Sequence, residues 1–147
     1  MENTGPFISV AAFCENVIED KQGALSLIRI VDRLTVSAHG PSAPEQMPPT
    51  PLNWFLVLTL KSGQARGSVQ VRIHPELPSG LKMEPVTFTP YFEGGSRGCN
   101  IVTRMGLVLN EPGVYWFRIY VADTLTTQVP LEVIYSRTVI PGIQPPH

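Results

Sequence analysis

Apolar side chains recur at every second position through most of this chain, and the runs that carry them are short. In residues 113–121 (Gly-Val-Tyr-Trp-Phe-Arg-Ile-Tyr-Val), Tyr115, Phe117 and Ile119 fall on one phase and Trp116, Arg118 and Tyr120 on the other. A second run through residue 135 follows the polar stretch around Asp123-Thr124, and Pro112-Gly113 opens the first. Alternation on both sides of a short polar turn predicts a β-hairpin. No segment carries the 3.6-residue period of a long amphipathic helix.

The same grammar runs through the rest of the chain. Residues 6–14 predict a first strand, followed over 15–23 by a wide turn or a single helical turn, of which the wide turn is favoured. Residues 24–36 predict a second strand with a phase slip: Leu25 and Leu27 share one face, Ile28 and Ile30 the other, and Leu34 and Val36 continue the even phase. A β-bulge near Leu27-Ile28 would reconcile the two halves. Residues 37–51 hold five prolines, which lack the ladder donor, and predict the longest loop, crossing from one sheet to the other.

Residues 52–61 are apolar on both phases and predict a central strand covered on both faces. Residues 67–74 alternate, with Val69, Val71 and Ile73 inward and Ser68, Gln70, Arg72 and His74 on a wet face. Residues 86–92 predict an edge strand, 94–98 a glycine turn, and 99–109 a strand with Ile101, Met105, Leu107 and Leu109 inward. The expectation is an all-β fold: a two-layer, mainly antiparallel sandwich of about eight strands, Ig-like or C2-like. Its core should contain Trp54, Leu56, Leu58, Val71, Ile73, Leu107, Phe117, Ile119 and Leu131. One domain should span residues 1–135, with 136–147 a tail rich in proline.

Composition supports this reading. The chain has 147 residues, long enough for a core without disulfide or metal staples. It is 43% hydrophobic and 16% charged, which argues against disorder. A net charge of −1 and eight scattered arginines leave no field that would draw nucleic acid. No segment has the length of a membrane span, and the N-terminus lacks the basic and apolar regions of a signal peptide. The expected location is therefore cytoplasmic. Two cysteines, Cys14 and Cys99, are expected to be buried, unreactive thiols.

Few constellations point to chemistry. Gly94-Gly-Ser-Arg-Gly98 has the spacing of a nucleophile elbow, but that turn needs a strand before the serine and a helix after it. Here Cys99 begins an apolar run, so a glycine turn is the simpler assignment; its amides beside Arg97 could also meet an anion. His39, His74 and His147 have no metal-ligand spacing, and Glu15, Glu19 and Asp20 are too few to form a calcium loop. No catalytic residue, cofactor or metal is expected. The aromatic-Arg-aromatic phase Trp116, Arg118 and Tyr120 is either covered by a loop or tail, or forms a binding surface for a protein or sugar. A reversed phase would put Tyr115 and Phe117 outside instead.

The strand ending Phe13-Cys14, the run Gly23-Ala-Leu-Ser-Leu-Ile-Arg-Ile30, the strand end Ile73-His-Pro75, Gly113-Val-Tyr-Trp-Phe117 and Pro130-Leu-Glu-Val133 together resemble a family of small uncharacterised bacterial proteins. The resemblance covers nearly the whole chain and implies a cytoplasmic bacterial β-sandwich, with no catalytic or binding residue attached. Two functional classes remain open. One is a non-enzymatic interaction or assembly module with a protein partner, and a homo-oligomer is compatible with it. The other is a sandwich that binds a small molecule or carbohydrate. Catalysis is a weaker third option, because no acid–base or nucleophile set emerges.

Overall fold

The computed structural model describes residues 5–139 of the chain. Thirteen strands follow in order: β1 (Phe7–Glu19), β2 (Leu25–Val31), β3 (Arg33–His39), β4 (Thr50–Pro51), β5 (Phe55–Gly63), β6 (Gly67–Ser68), β7 (Val71–Glu76), β8 (Val86–Phe88), β9 (Tyr91–Phe92), β10 (Gly95–Arg104), β11 (Val108–Leu109), β12 (Gly113–Val121) and β13 (Thr124–Thr138). A four-stranded sheet has the order β10-β5-β1-β2, and a five-stranded sheet the order β3-β13-β12-β7-β8. Two short ladders, β11-β4 and β6-β9, complete the strand pairing. Among the described residues every strand pairing is antiparallel except β13 with β3. The all-β, mainly antiparallel sandwich expected from the alternation is the architecture observed.

The two sheets meet over a core that includes Phe13, Leu56, Leu58 and Leu60 of the first and Val71, Ile73, Tyr115, Phe117, Ile119, Leu131 and Val133 of the second. Burying each such side chain contributes about 1.5–3 kcal/mol. Phe13 and Phe117 meet between the sheets edge to face, with ring centroids 4.8 Å apart. Of the nine expected core residues, Trp54 and Leu107 are only half-buried against the cluster; both lie just outside a strand, in the segments leading into β5 and β11. The hairpin is formed by β12 and β13, with Ala122 (φ 48°) and Asp123 (φ 65°) as its two loop residues. Positive φ at both positions gives a turn whose twist matches that of the strands.

Tyr115 fixes the entry to β12. Its hydroxyl donates to the Glu111 carbonyl (2.8 Å) and accepts from the Glu111 amide (3.4 Å). A buried tyrosine bonded to the backbone a few residues upstream is the tyrosine corner of immunoglobulin-type sandwiches.

Several local expectations change. The stretch 15–19 is strand, because β1 continues to Glu19, and the turn is confined to 20–24, where Asp20 Oδ1 accepts from the Gln22 and Ala24 amides. The phase slip lies at Asp32, not at Leu27-Ile28. There the chain leaves the first sheet as β2 and enters the second as β3, so Val31 and Leu34 both pack on the core. The ladder between β1 and β2 keeps one register from Phe13↔Val31 to Glu19↔Leu25, interrupted at Glu15 and Arg29, which do not pair and where Arg29 has φ 56°. Residues 95–98 belong to β10 and carry a register shift against β5, where 94–98 read as a turn.

The domain also extends past residue 135: Ser136, Arg137 and Thr138 pair with Ser37, Ala38 and His39. Residues 140–147 of the expected tail, with His147, lie outside the described residues. Both cysteines are thiols, but only Cys14 is buried, whereas Cys99 is half-exposed midway along edge strand β10.

Two consequences can be measured. Phe117→Ala should cost about 3–5 kcal/mol in urea unfolding, because it empties a ring-sized space between the sheets. Phe13→Ala and Phe117→Ala together should cost less than the sum of the two, since the rings touch. The second concerns alkali. Burial pushes the Cys14, Cys99 and Tyr115 groups above their ordinary values of 9.0 for the thiols and 10.0 for the phenol. Between the ordinary and the raised values the folded protein keeps protons that the unfolded chain has released. Stability is therefore full below the ordinary values and falls as pH rises through the raised ones. The urea midpoint should drop above pH 9.0, and Tyr115→Phe should flatten that drop while costing about 1 kcal/mol at neutral pH through its lost hydrogen bonds.

Candidate functional site

Strand β12 sits inside the five-stranded sheet, between β13 and β7, so alternation alone decides which side chains face out. Tyr115, Phe117 and Ile119 are buried, while Trp116, Arg118 and Tyr120 lie half-buried on the outer face. The reversed phase is thereby excluded. The register with β7 sets the neighbours. Trp116 lies opposite Glu76, Arg118 opposite His74, and Tyr120 opposite Arg72. On the other flank, Trp116 pairs with Pro130 and Arg118 with Gln128. Pro130 and Gln128 are both exposed, so among the described residues that flank of the row is open.

The row is organised by one ion pair. The Arg118 guanidinium donates to the Glu76 carboxylate diagonally across the strands, and the two side chains keep 29% and 23% of their exposure. At that depth the pair retains some water, so it holds the two side chains in place without the full desolvation penalty of a buried pair. The guanidinium carbon also lies 5.8 Å from the Trp116 ring centroid, within cation–π range. The His74 and Tyr120 rings meet edge to face at 4.8 Å. Arg72 continues the line, bonding Gln70 at 2.7 Å and Asp123 at 3.2 Å. Aromatic and cationic groups thus alternate along a stiff sheet face.

Beside the row is a cleft of about 330 Å³ lined by His74, Pro75, Glu76, Lys82, Arg118 and Tyr120. Its far wall is the connection from β7 to β8, pinned by the Met83 amide to the Pro75 carbonyl at 2.9 Å. The lining offers two cationic side chains, one carboxylate, an imidazole and a phenol. Sequence reasoning placed Trp116, Arg118, Tyr120 and His74 on wet phases, but it left β7 and β12 apart. The Glu76 and Lys82 contributions were missed: pairing partners are set by tertiary register, and neither residue stands out locally.

The other candidates disperse. Arg97 pairs with Glu93 at 3.0 Å, and the Arg66 guanidinium packs against the backbone of Gly94. Ser96 is exposed at the start of a strand and makes no side-chain hydrogen bond among the described residues, so the surroundings of a nucleophile elbow are not assembled there. His39 is exposed at the end of β3. Glu15 pairs with Arg29 at 3.0 Å, and Asp20 caps its turn. Among the described residues, no three His, Cys, Asp or Glu side chains converge as metal ligands.

None of the curated proteins matches the chain. Among solved structures, an immunoglobulin-like protein from Pseudomonas aeruginosa aligns over 88% of this chain and 96% of its own, at 10% identity and a TM-score of 0.43. The profile of DUF6941, a family of unknown function, matches residues 9–134, and this span runs from β1 into β13. The chain belongs to that family.

Proposed function

We propose that this protein works by binding rather than by catalysis, as an interaction module whose contact surface is the outer face of the five-stranded sheet around Trp116, Arg118 and Tyr120. The observation that carries this reading is the Trp116-Arg118-Tyr120 row itself, held by Glu76 and flanked by exposed Gln128 and Pro130. Tryptophan, tyrosine and arginine are the residue types that dominate binding energy at protein interfaces. A row already ordered by an ion pair and a cation–π contact loses little side-chain entropy on docking. The partner on this reading is another protein, in a cytoplasmic bacterial setting, and a second copy of the chain is one form it could take.

The cleft beside Arg118 supports a second reading, a small-molecule or carbohydrate site. Its volume of about 330 Å³ lies at the lower end of the range for ligand pockets, and its polar groups converge from two strands and a connection.

A photo-crosslinking residue in place of Gln128, which is exposed beside the row, identifies a bound protein in the host cell. Trp116→Ala should then weaken the purified pair by about 2 kcal/mol or more while leaving the urea midpoint nearly unchanged. If the same substitution unfolds the domain, Trp116 is a core residue and the surface assignment fails. Lys82→Ala separates the two readings. It lines the cleft but is not in the row, so it should reduce small-molecule binding and spare the protein contact.

A further inference from the structure

The outer face of the other sheet poses a different problem. On β5, Leu56, Leu58 and Leu60 point into the core, so Phe55, Val57 and Thr59 point away from it. On β1 the outward phase opposite them is Cys14, Ala12 and Val10, and on β10 it is Arg104, Val102 and Asn100. Val57 and Cys14 nevertheless have 0% exposure, although neither belongs to the main core. A valine flanked by an alanine on an open sheet would remain in contact with water. Something covers this face.

The cover is the hairpin of β1 and β2. From Glu15 to Glu19, β1 pairs only with β2, because β5 begins at Phe55 opposite Cys14. The Asn100 side-chain amide donates to the Gly23 carbonyl, at 3.4 Å. Since β5 and β1 lie between β10 and β2, a turn residue can reach an outward side chain of β10 only by folding back across the outer face. Val17, Leu25 and Leu27 of the hairpin are half-buried without touching the main core, as a satellite cluster under this flap requires. Burial under it pushes the Cys14 thiol up.

The attachment is slight. No backbone ladder joins the hairpin tip to β10 among the described residues, and Asn100 is held in turn by the Thr59 hydroxyl at 2.9 Å. At the base of the hairpin, Arg29 has φ 56°, a left-handed conformation that is uncommon for a residue with a Cβ, and its side chain is tied to Glu15 by an exposed ion pair. The base is therefore an irregular point between two regular ladders. We propose that the β1–β2 hairpin is a strap that opens as a unit about Glu15 and Arg29, uncovering the apolar strip of Cys14, Val57 and Phe55 while both sheets stay folded. It acts on the face opposite Trp116 and is independent of the binding surface proposed there.

Cys14 is the built-in reporter. Thiol labelling under native conditions, read by peptide mass spectrometry so that Cys14 and Cys99 are scored separately, gives the opening equilibrium. In the wild-type protein the Cys14 rate should depend only weakly on urea at low concentration, because little surface is exposed by a local opening. Asn100→Ala should speed Cys14 labelling about threefold or more, the effect of losing one exposed hydrogen bond, and leave both the Cys99 rate and the urea midpoint unchanged. Hydrogen exchange offers a readout without substitution: amides of residues 16–28 should exchange together and faster than those of β5. The strap is overturned if Cys14 labelling follows urea with the full slope of global unfolding, or if Asn100→Ala leaves the Cys14 rate where it was.

Discussion

The contact of Phe13 with Phe117 is the point on which the two layers depend. One ring comes from an inner strand of the first sheet and the other from the middle strand of the second, and they meet edge to face at 4.8 Å. Immunoglobulin-type domains place a disulfide between sheets near their tyrosine corner, two residues beyond the tyrosine. Here Phe117 stands two residues beyond Tyr115, and the tie is aromatic burial instead of a covalent bond. Such a tie needs no oxidising compartment, only enough surrounding apolar surface to keep both rings dry. Leu56, Leu58, Ile119 and Leu131, all buried in the same cluster, supply that surface.

A second constraint follows from β2 and β3. The chain passes from one sheet to the other at Asp32 with no loop, and the Asp32 carbonyl already accepts from the Glu132 amide at 3.0 Å. β2 is thus an edge of the first sheet and β3 an edge of the second, joined at a corner. β3 then runs parallel to its neighbour β13. At the far end of β3, the loop that follows is fixed to β13: Tyr135 donates its hydroxyl to the Pro44 carbonyl, and Arg137 donates Nε to the Ala43 carbonyl. The proline-rich loop thereby crosses between sheets while staying anchored.

Much of this was legible in the residues. The inward phase of β12, the double burial of β5 around Val57 and the hairpin between β12 and β13 follow from a period of two and from turn chemistry, which are local properties. The failures share one cause. The slip between Leu27 and Leu34 has the same local signature whether it is a bulge within a sheet or a change of sheet, and only the partners of β3 decide. Residues 15–19 read as a turn because Glu15, Asn16 and Glu19 are polar, yet here β1 pairs on one side only, with β2, and its exposed positions accept such residues. Glu76 joined the candidate site for the same reason: its place beside Arg118 is a matter of register between strands more than forty residues apart, and Lys82 follows it through a bridge to Glu76.

The two outer faces solve opposite problems. Phe55, Val57, Ala12 and Cys14 form a strip that water would solvate poorly, and the chain spends the length of a whole hairpin covering it. Trp116, Arg118, Tyr120, His74 and Glu76 combine apolar area with groups that water solvates well, and that face is left partly open. Half-buried aromatics stay soluble when cations and a carboxylate are interleaved with them, as Arg118 and Glu76 are here. Such a face can remain exposed without driving aggregation. A patch of plain aliphatics could not, which is why the open face and the covered face of one sandwich carry such different residues.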